Sequence, residues 1–333
     1  MGLFCGRCAW LGLSACLLLG GAASGALAEE RLGTFNFVFE NDLFANTDRH
    51  YTNGVRLSWL TAAGQEPAWS RALARAFPLL DDAADIRIEY AIGQSMFAPR
   101  DITRRVPDPD DQPYAGWLYG AIGAIGSTGS RLDQLELSLG VVGPAALAAQ
   151  AQKTAHRLTG ADRPRGWRSQ LANEPALQLT YRRSWRALAS AEVLGFSVDA
   201  TPHVGAALGN VFIYGSTGMI LRIGFNLPDD YGPPRVQPSL PGSGFFRSQP
   251  GFGWYLFAGV DGRVVGRNIF LDGNSFRDGP GVDRRIFVGD LQAGIAFVLG
   301  DVRIAYTHVL RTEEFHGQGE NSKFGAFSLS WRF

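Results

Sequence analysis

Beyond residue 16 the chain has no cysteine: Cys5, Cys8 and Cys16 all fall in its first segment. Disulfides therefore cannot hold the remainder together, and a thiol nucleophile is excluded there. Long apolar runs are equally scarce, and no later stretch reaches the roughly 18 residues that a membrane-crossing helix needs. Neither sign of charge prevails, with 31 Lys+Arg against 31 Asp+Glu. Such a balance gives no reason to expect nucleic acid as a partner. No Gly-x-Ser-x-Gly elbow, internal repeat or domain boundary is visible either.

What is present begins with an export signal. Arg7 precedes an apolar run from Ala9 to Leu19, and small residues follow up to Ala26-Leu27-Ala28. This predicts a signal peptide over residues 1–28, removed after Ala28, and a single mature domain over 29–333. A lipoprotein signal at Leu13-Ser14-Ala15-Cys16 is the rival reading. It is disfavoured because the strongest apolar run, Leu17 to Leu19, lies after the cysteine.

Period-two alternation dominates the rest. Val55, Leu57 and Trp59 alternate with Arg56 and Ser58, and Leu135, Leu137 and Leu139 with Glu136 and Ser138. That pattern means strands with one apolar and one polar face. Arg, Glu and Gln on the polar parity, deep inside the strands, suit the hydrated lumen of a membrane barrel. Tyr114, Trp117, Tyr119, Trp254, Tyr255, Trp331 and Phe333 are expected to form aromatic girdles. The chain stops at FSLSWRF, which resembles the assembly signal on the last strand of bacterial outer-membrane proteins. The predicted fold is all-β: an antiparallel transmembrane β-barrel of about 12 strands, near 32–40, 54–62, 86–95, 115–127, 132–142, 175–186, 190–203, 212–224, 252–264, 285–299, 301–311 and 323–333. The Pro/Gly-rich run LPDDYGPPRVQPSLPGSGFFRSQPG reads as a long loop. One helical insertion breaks the pattern, over Ala145 to Leu158 after Gly143-Pro144, with Gln152 and His156 on one face. A second short helix is expected around Ala68 to Ala76.

Polar chemistry is concentrated in FENDLFANTDRHYTNG, the turn between the first two strands. Asp42 shares the parity of Glu40, and Thr52 that of Arg56 and Ser58. Asn41 has the opposite parity and needs a twist or bulge to join them. These oxygens suit a hard cation such as calcium, but Asn, Asp and Thr are also ordinary turn residues, so composition leaves both readings open. DPDDQPYAG lacks the spacing of a calcium-binding loop. Of the five histidines, His156 alone lies in the helical insertion. It is a candidate general base, or a surface residue on a cap helix.

FENDLF…TDRHYTNG, GQSMFAPRDI, DDQPYAGWLY and GVVGPAALAAQAQKTAHRLTG…GW…Q together resemble the outer-membrane lipid A 3'-O-deacylases, in order and spacing, from about Phe35 to Glu174. The resemblance implies a twelve-stranded barrel in the outer membrane of a Gram-negative bacterium. It implies calcium-dependent hydrolysis of the 3'-linked acyloxyacyl ester of lipid A, with lipopolysaccharide as the partner and the chain acting as a monomer. Carried over by motif, the family's Asn-Asp pair falls on Asn41 and Asp42, its threonine on Thr52, its histidine on His156 and an acidic residue on Asp162. Asp42, Asn41 and Asp162 would serve the metal. His156 would activate water, and Thr52 and Asn41 would position it. The family's active-site lysine falls on Arg104, a departure that keeps the charge and changes its shape. A shifted alignment would place it on Arg105 or Arg100. Two rivals stand beside this reading: an outer-membrane phospholipase-type esterase, and a non-enzymatic pore or scaffold in which Arg104 marks a degenerate site.

Overall fold

The computed structural model describes residues 33–42, 50–70, 72, 77, 80, 84–236, 244–247 and 249–333. The expected signal peptide lies outside the described residues, as does most of the helix expected over Ala68–Ala76, of which Ala68, Trp69, Ser70 and Ala72 are described and helical. Twelve antiparallel strands close into a barrel. They are β1 (Thr34–Asn41), β2 (His50–Leu60), β3 (Asp85–Ala98), β4 (Ala115–Ser127), β5 (Arg131–Val142), β6 (Glu174–Trp185), β7 (Phe196–Gly209), β8 (Phe212–Phe225), β9 (Phe252–Asn268), β10 (Phe287–Leu299), β11 (Val302–Arg311) and β12 (Ser322–Arg332). Each pairs with its neighbours in sequence, and β1 returns to β12 with Phe35 opposite Trp331. Gly33 and Phe333 exchange backbone hydrogen bonds at one rim, the terminal rim. At the opposite, distal rim lie the 99–114, 143–173, 269–286 and 312–321 connections.

One expected strand is a hairpin. Residues 190–203 divide into a short strand, Ala189–Val193, and the start of β7. Leu194 and Gly195 both have positive φ, 53° and 82°, the geometry of a tight two-residue hairpin turn.

The alternation sorts the two barrel faces. Leu57, Trp59, Tyr90, Ile92, Leu139 and Leu177 are exposed on the outer wall, whereas Arg56, Arg182, Arg222 and Arg303 are buried inside. Buried charges are tolerable only when paired. Accordingly Arg56 bridges Glu89 (3.2 Å) and Glu136 (2.5 Å), and Asp290 accepts from Arg263 (3.0 Å) and Arg311 (2.8 Å). Four of the expected girdle aromatics are buried instead, three in the lumen and Tyr114 beneath the helical insertion. Tyr114, Trp117, Tyr119 and Tyr255 are at most 2% exposed, because the last three sit on the inward parity and Tyr114 packs against Trp167. Trp331 and Phe333 are exposed, as a girdle requires.

The Pro/Gly-rich connection between β8 and β9 is not a surface loop. Its Tyr231, Arg235, Val236, Phe245 and Phe246 are buried within the barrel. Arg235 pairs with Glu40 near the distal end of β1, and Asp230 pairs with both Arg222 and Arg303. Tyr255 donates to the same aspartate (2.8 Å). Gly244 lies against Asn36 with no room for a side chain. From the distal side, Phe270 on the one-turn helix α2 (Ile269–Asp272) stacks on Phe97, ring centroids 3.9 Å apart, beside Trp117 and Phe212. The described interior is thus filled from one end by 226–236 and 244–247 and capped at the other by aromatics, which weighs against an open pore.

Candidate active site

Helix α1 (Ala148–Thr159) leaves β5 through Gly143 (φ 107°), a 3-10 turn at Pro144–Ala146 and the left-handed Leu147. It stands on the outside of the wall. Gln94, on the outward parity of β3, donates to the carbonyl of Ala146 (2.6 Å). Ala148 packs with Met96, Ala98, Ile102, Tyr114 and Trp167. Gly116 supplies the floor: a Cβ there would lie 2.5 Å from that of Ala148. We expect Gly116→Val to push α1 off the wall at about 1–3 kcal/mol, with trypsin then cutting after Lys153 and Arg157 while the barrel survives. Unchanged cleavage would contradict this packing.

The register places the opening motif on the same face. Asn41 is opposite Asn53, Asn53 opposite Met96, and Met96 opposite Gly116, one lateral row across β1 to β4. At roughly 4.8 Å per strand the row spans roughly 14 Å. Asn53 also donates to the Glu40 carbonyl (3.0 Å). The next positions toward the distal rim are Asp42, just past β1, and Thr52 on β2, 1% and 2% exposed. Thr52 is the bulge residue of β2, since Tyr51 opposes Phe97 and Asn53 opposes Met96. The bulge takes Thr52 out of the alternation that carries Arg56 and Ser58 inward, a common device beside active sites. Its Oγ1 is buried with no hydrogen-bond partner among the described residues.

His156, 7% exposed, shares the buried face of α1 with Gln152, 2% exposed, whose Oε1 accepts from Trp167 Nε1 (2.7 Å). Gly160 ends the helix at φ 75°, and the chain turns back so that the Asp162 carbonyl meets His156 Nδ1 at 2.5 Å. A carbonyl only accepts, so Nδ1 carries the proton and the lone pair of the neutral ring is on Nε2. Asp162's own carboxylate is on the exposed side of this turn.

Arg104 is placed differently. Its backbone carbonyl lies against Gly166, but its half-exposed guanidinium is 3.2 Å from Asp108. It borders a cavity of about 290 Å³ with Arg100, Asp101, Asp108, Asp110 and Asp111. Within that rim the Thr103 hydroxyl, then its amide, hold the Asp101 carboxyl below its usual range. His156 borders a different cavity, of about 380 Å³, with Lys153, Arg157, Ala161 and Arg163. Sequence reading missed these three cations and the anchors Gln94, Gly116 and Trp167. The motifs quoted for the resemblance contain Gln94, Gly116, Lys153, Arg157 and Trp167, but gave none of them a role.

Among the described residues no three His, Cys, Asp or Glu side chains converge as a metal cluster. The oxygens present nonetheless suit a hard cation: the Asp42 carboxylate, the Asn41 amide and the buried Thr52 hydroxyl. Asn46, Thr47 and Asp48 lie outside the described residues.

A sequence profile described as outer membrane protein LpxR matches residues 11–333. The structure of LpxR from Salmonella typhimurium superposes with a TM-score of 0.71 at 20% identity, covering 90% of this chain and 100% of that one. The beta domain of the Bordetella autotransporter BrkA covers 91% of this chain and 98% of its own, with 10% identity and a TM-score of only 0.40. Comparison with curated protein sequences yields no match. At 20% identity the likeness to the Salmonella structure shows the fold alone, but the profile spans nearly the whole chain: the protein belongs to the outer membrane protein LpxR family and resides in the outer membrane of a Gram-negative bacterium.

Proposed function

We propose that the protein is a lipid A 3'-O-deacylase, which hydrolyses the 3'-linked acyloxyacyl ester of lipid A. The observation that supports this reading is that His156, with Nδ1 against the Asp162 carbonyl, is on the buried face of α1, and that Ala148 of the same helix packs at Gly116, in the outward-facing row that contains Asn41. An ester embedded in the leaflet would reach that face laterally, without entering the filled lumen.

His156 Nε2 would take a proton from water as the water oxygen attacks the ester carbonyl carbon. The tetrahedral intermediate then breaks its bond to the sugar O3', and His156 returns the proton to that oxygen. The products are a free acyloxyacyl acid and a sugar hydroxyl. Thr52 and Asn41 would orient the water. Calcium, held by Asp42 with oxygens of Asn41 and Thr52, would supply Lewis-acid polarisation of the carbonyl when bound. Arg104 would reach substrate only by leaving Asp108. An exposed ion pair is worth about 0–1 kcal/mol, so that exchange is cheap.

The test is ester release from purified lipid A by the mature chain in detergent micelles. Chelation with EGTA is expected to lower the rate on the order of 10²-fold, and added calcium to restore it. A rate indifferent to EGTA would remove calcium from the mechanism; no release under any condition would remove the activity.

A further inference from the structure

From Ala148 to Gln170 the chain carries Lys153, Arg157, Arg163, Arg165 and Arg168 against a single acid, Asp162, although the protein as a whole is neutral. Elsewhere Arg56, Arg104, Arg222, Arg235, Arg263, Arg303 and Arg311 are matched to carboxylates. Here none of the five side chains has an acidic partner among the described residues. Three of them, Lys153, Arg157 and Arg163, converge with His156 on the cavity of about 380 Å³.

Helix physics does not explain the grouping. Arg157 is in the last turn of α1, where the helix dipole favours a cation. Lys153 is in the middle, and at i, i+4 from Arg157 the two repel. The helix contains no acidic residue to offset them. Arg163 lies beyond Gly160, outside the dipole's reach. Lys153 is also one of only two lysines in the chain, the other being Lys323. A mobile ammonium beside guanidinium forks is an arrangement suited to phosphate oxygens.

We propose that this cavity is a phosphate subsite, in which Lys153, Arg157 and Arg163 bind the phosphate monoester vicinal to the scissile 3'-ester and so select a phosphorylated headgroup. The proposal rests on the deacylase reading. Its ligand chemistry, a phosphate dianion, has two sources, the sugar headgroup and free inorganic phosphate. The three residues position substrate and take no part in proton transfer.

The experiment compares kcat/KM of the mature chain on two lipid A preparations, with and without that vicinal phosphate. Wild type is expected to prefer the phosphorylated form by about tenfold or more. Lys153→Met and Arg157→Gln should bring the preference to within about twofold, Lys153→Arg should retain it, and Arg168→Gln, outside the cavity, should leave it unchanged. All the substituted side chains are exposed, and heat-modifiable gel mobility verifies the folded barrel of each variant. Equal kcat/KM on both lipids overturns the proposal, as does a preference that survives Lys153→Met and Arg157→Gln. Inhibition by inorganic phosphate without a headgroup preference assigns the cavity to free anion and overturns the headgroup claim. If neither lipid is hydrolysed, the deacylase reading fails separately. Direct binding of the two lipids then decides the subsite: tighter binding of the phosphorylated form, lost in Lys153→Met, supports it, and equal binding overturns it.

Discussion

His156→Ala is expected to slow ester release by about 10²–10⁴-fold, the contribution typical of a positioned general base. Alanine retains the helix propensity of α1. What is lost is one hydrogen bond, from Nδ1 to the Asp162 carbonyl, together with the Nε2 lone pair. Because α1 packs outside the wall through Ala148, Gly116 and Gln94, the barrel itself should fold as before. Gel mobility and the rate, measured on one preparation, separate these effects. A variant that keeps more than about a third of the rate would exclude His156 as the base.

Asp230→Ala is expected to have the largest effect on stability. The carboxylate accepts from Arg222, Arg303 (2.6 Å) and the Tyr255 hydroxyl (2.8 Å), and all four groups are buried. Removing it leaves two guanidiniums facing each other in the lumen, although Arg222 keeps Asp199 (2.5 Å). Breaking a buried ion pair from one side costs about 3–5 kcal/mol. Residues 226–236 would lose their anchor, and a lower urea midpoint with early proteolysis in that connection would report it. Burial raises the Asp230 pKa, but Arg222 and Arg303 outweigh it, and the net shift is below the ordinary carboxylate value. Its stabilisation is therefore complete above roughly pH 4 and disappears as pH falls through the lower folded-state value. Wild type should lose the anchor only as pH falls below the ordinary carboxylate value, whereas Asp230→Ala should lack it at every pH. Wild-type stability in the variant at pH 7 would refute the assignment.

The strands were legible because one physical rule, apolar outside and polar inside, holds along nearly all of them. Val55-Arg56-Leu57-Ser58-Trp59 and Leu135-Glu136-Leu137-Ser138-Leu139 announce both the period and the face. The rule broke where the chain spends a residue on a bulge. Counting parity from Arg56 put Thr52 on the lumen side, but the bulge at that residue removes it from the count. Leu194-Gly195 hid a turn, because neither neighbour interrupts the apolar content. The 226–251 run was readable as irregular and not as interior. Pro and Gly report backbone conformation, and burial is decided by partners distant in sequence, such as Glu40 for Arg235. Trp117 and Tyr119 had the right composition for a girdle and the wrong parity.

The helical insertion was legible from Gly143-Pro144 and the alanine run that follows, as was the shared face of Gln152 and His156. Its place on the outer wall was not. It depends on Gly116 on β4 and Gln94 on β3, one and two strands from β5 and tens of residues away in sequence. The cation cavity was hidden for a similar reason: Lys153, Arg157 and Arg163 look like scattered surface charge until the turn at Gly160 brings Arg163 back toward the helix.

The most direct measurement is mass spectrometry of lipid A from a Gram-negative host whose outer membrane contains this chain, beside the same host with His156→Ala. The account predicts loss of one 3'-acyloxyacyl mass with the intact protein and none with the variant. Unchanged lipid A, with the folded barrel present in the membrane in both, would contradict it.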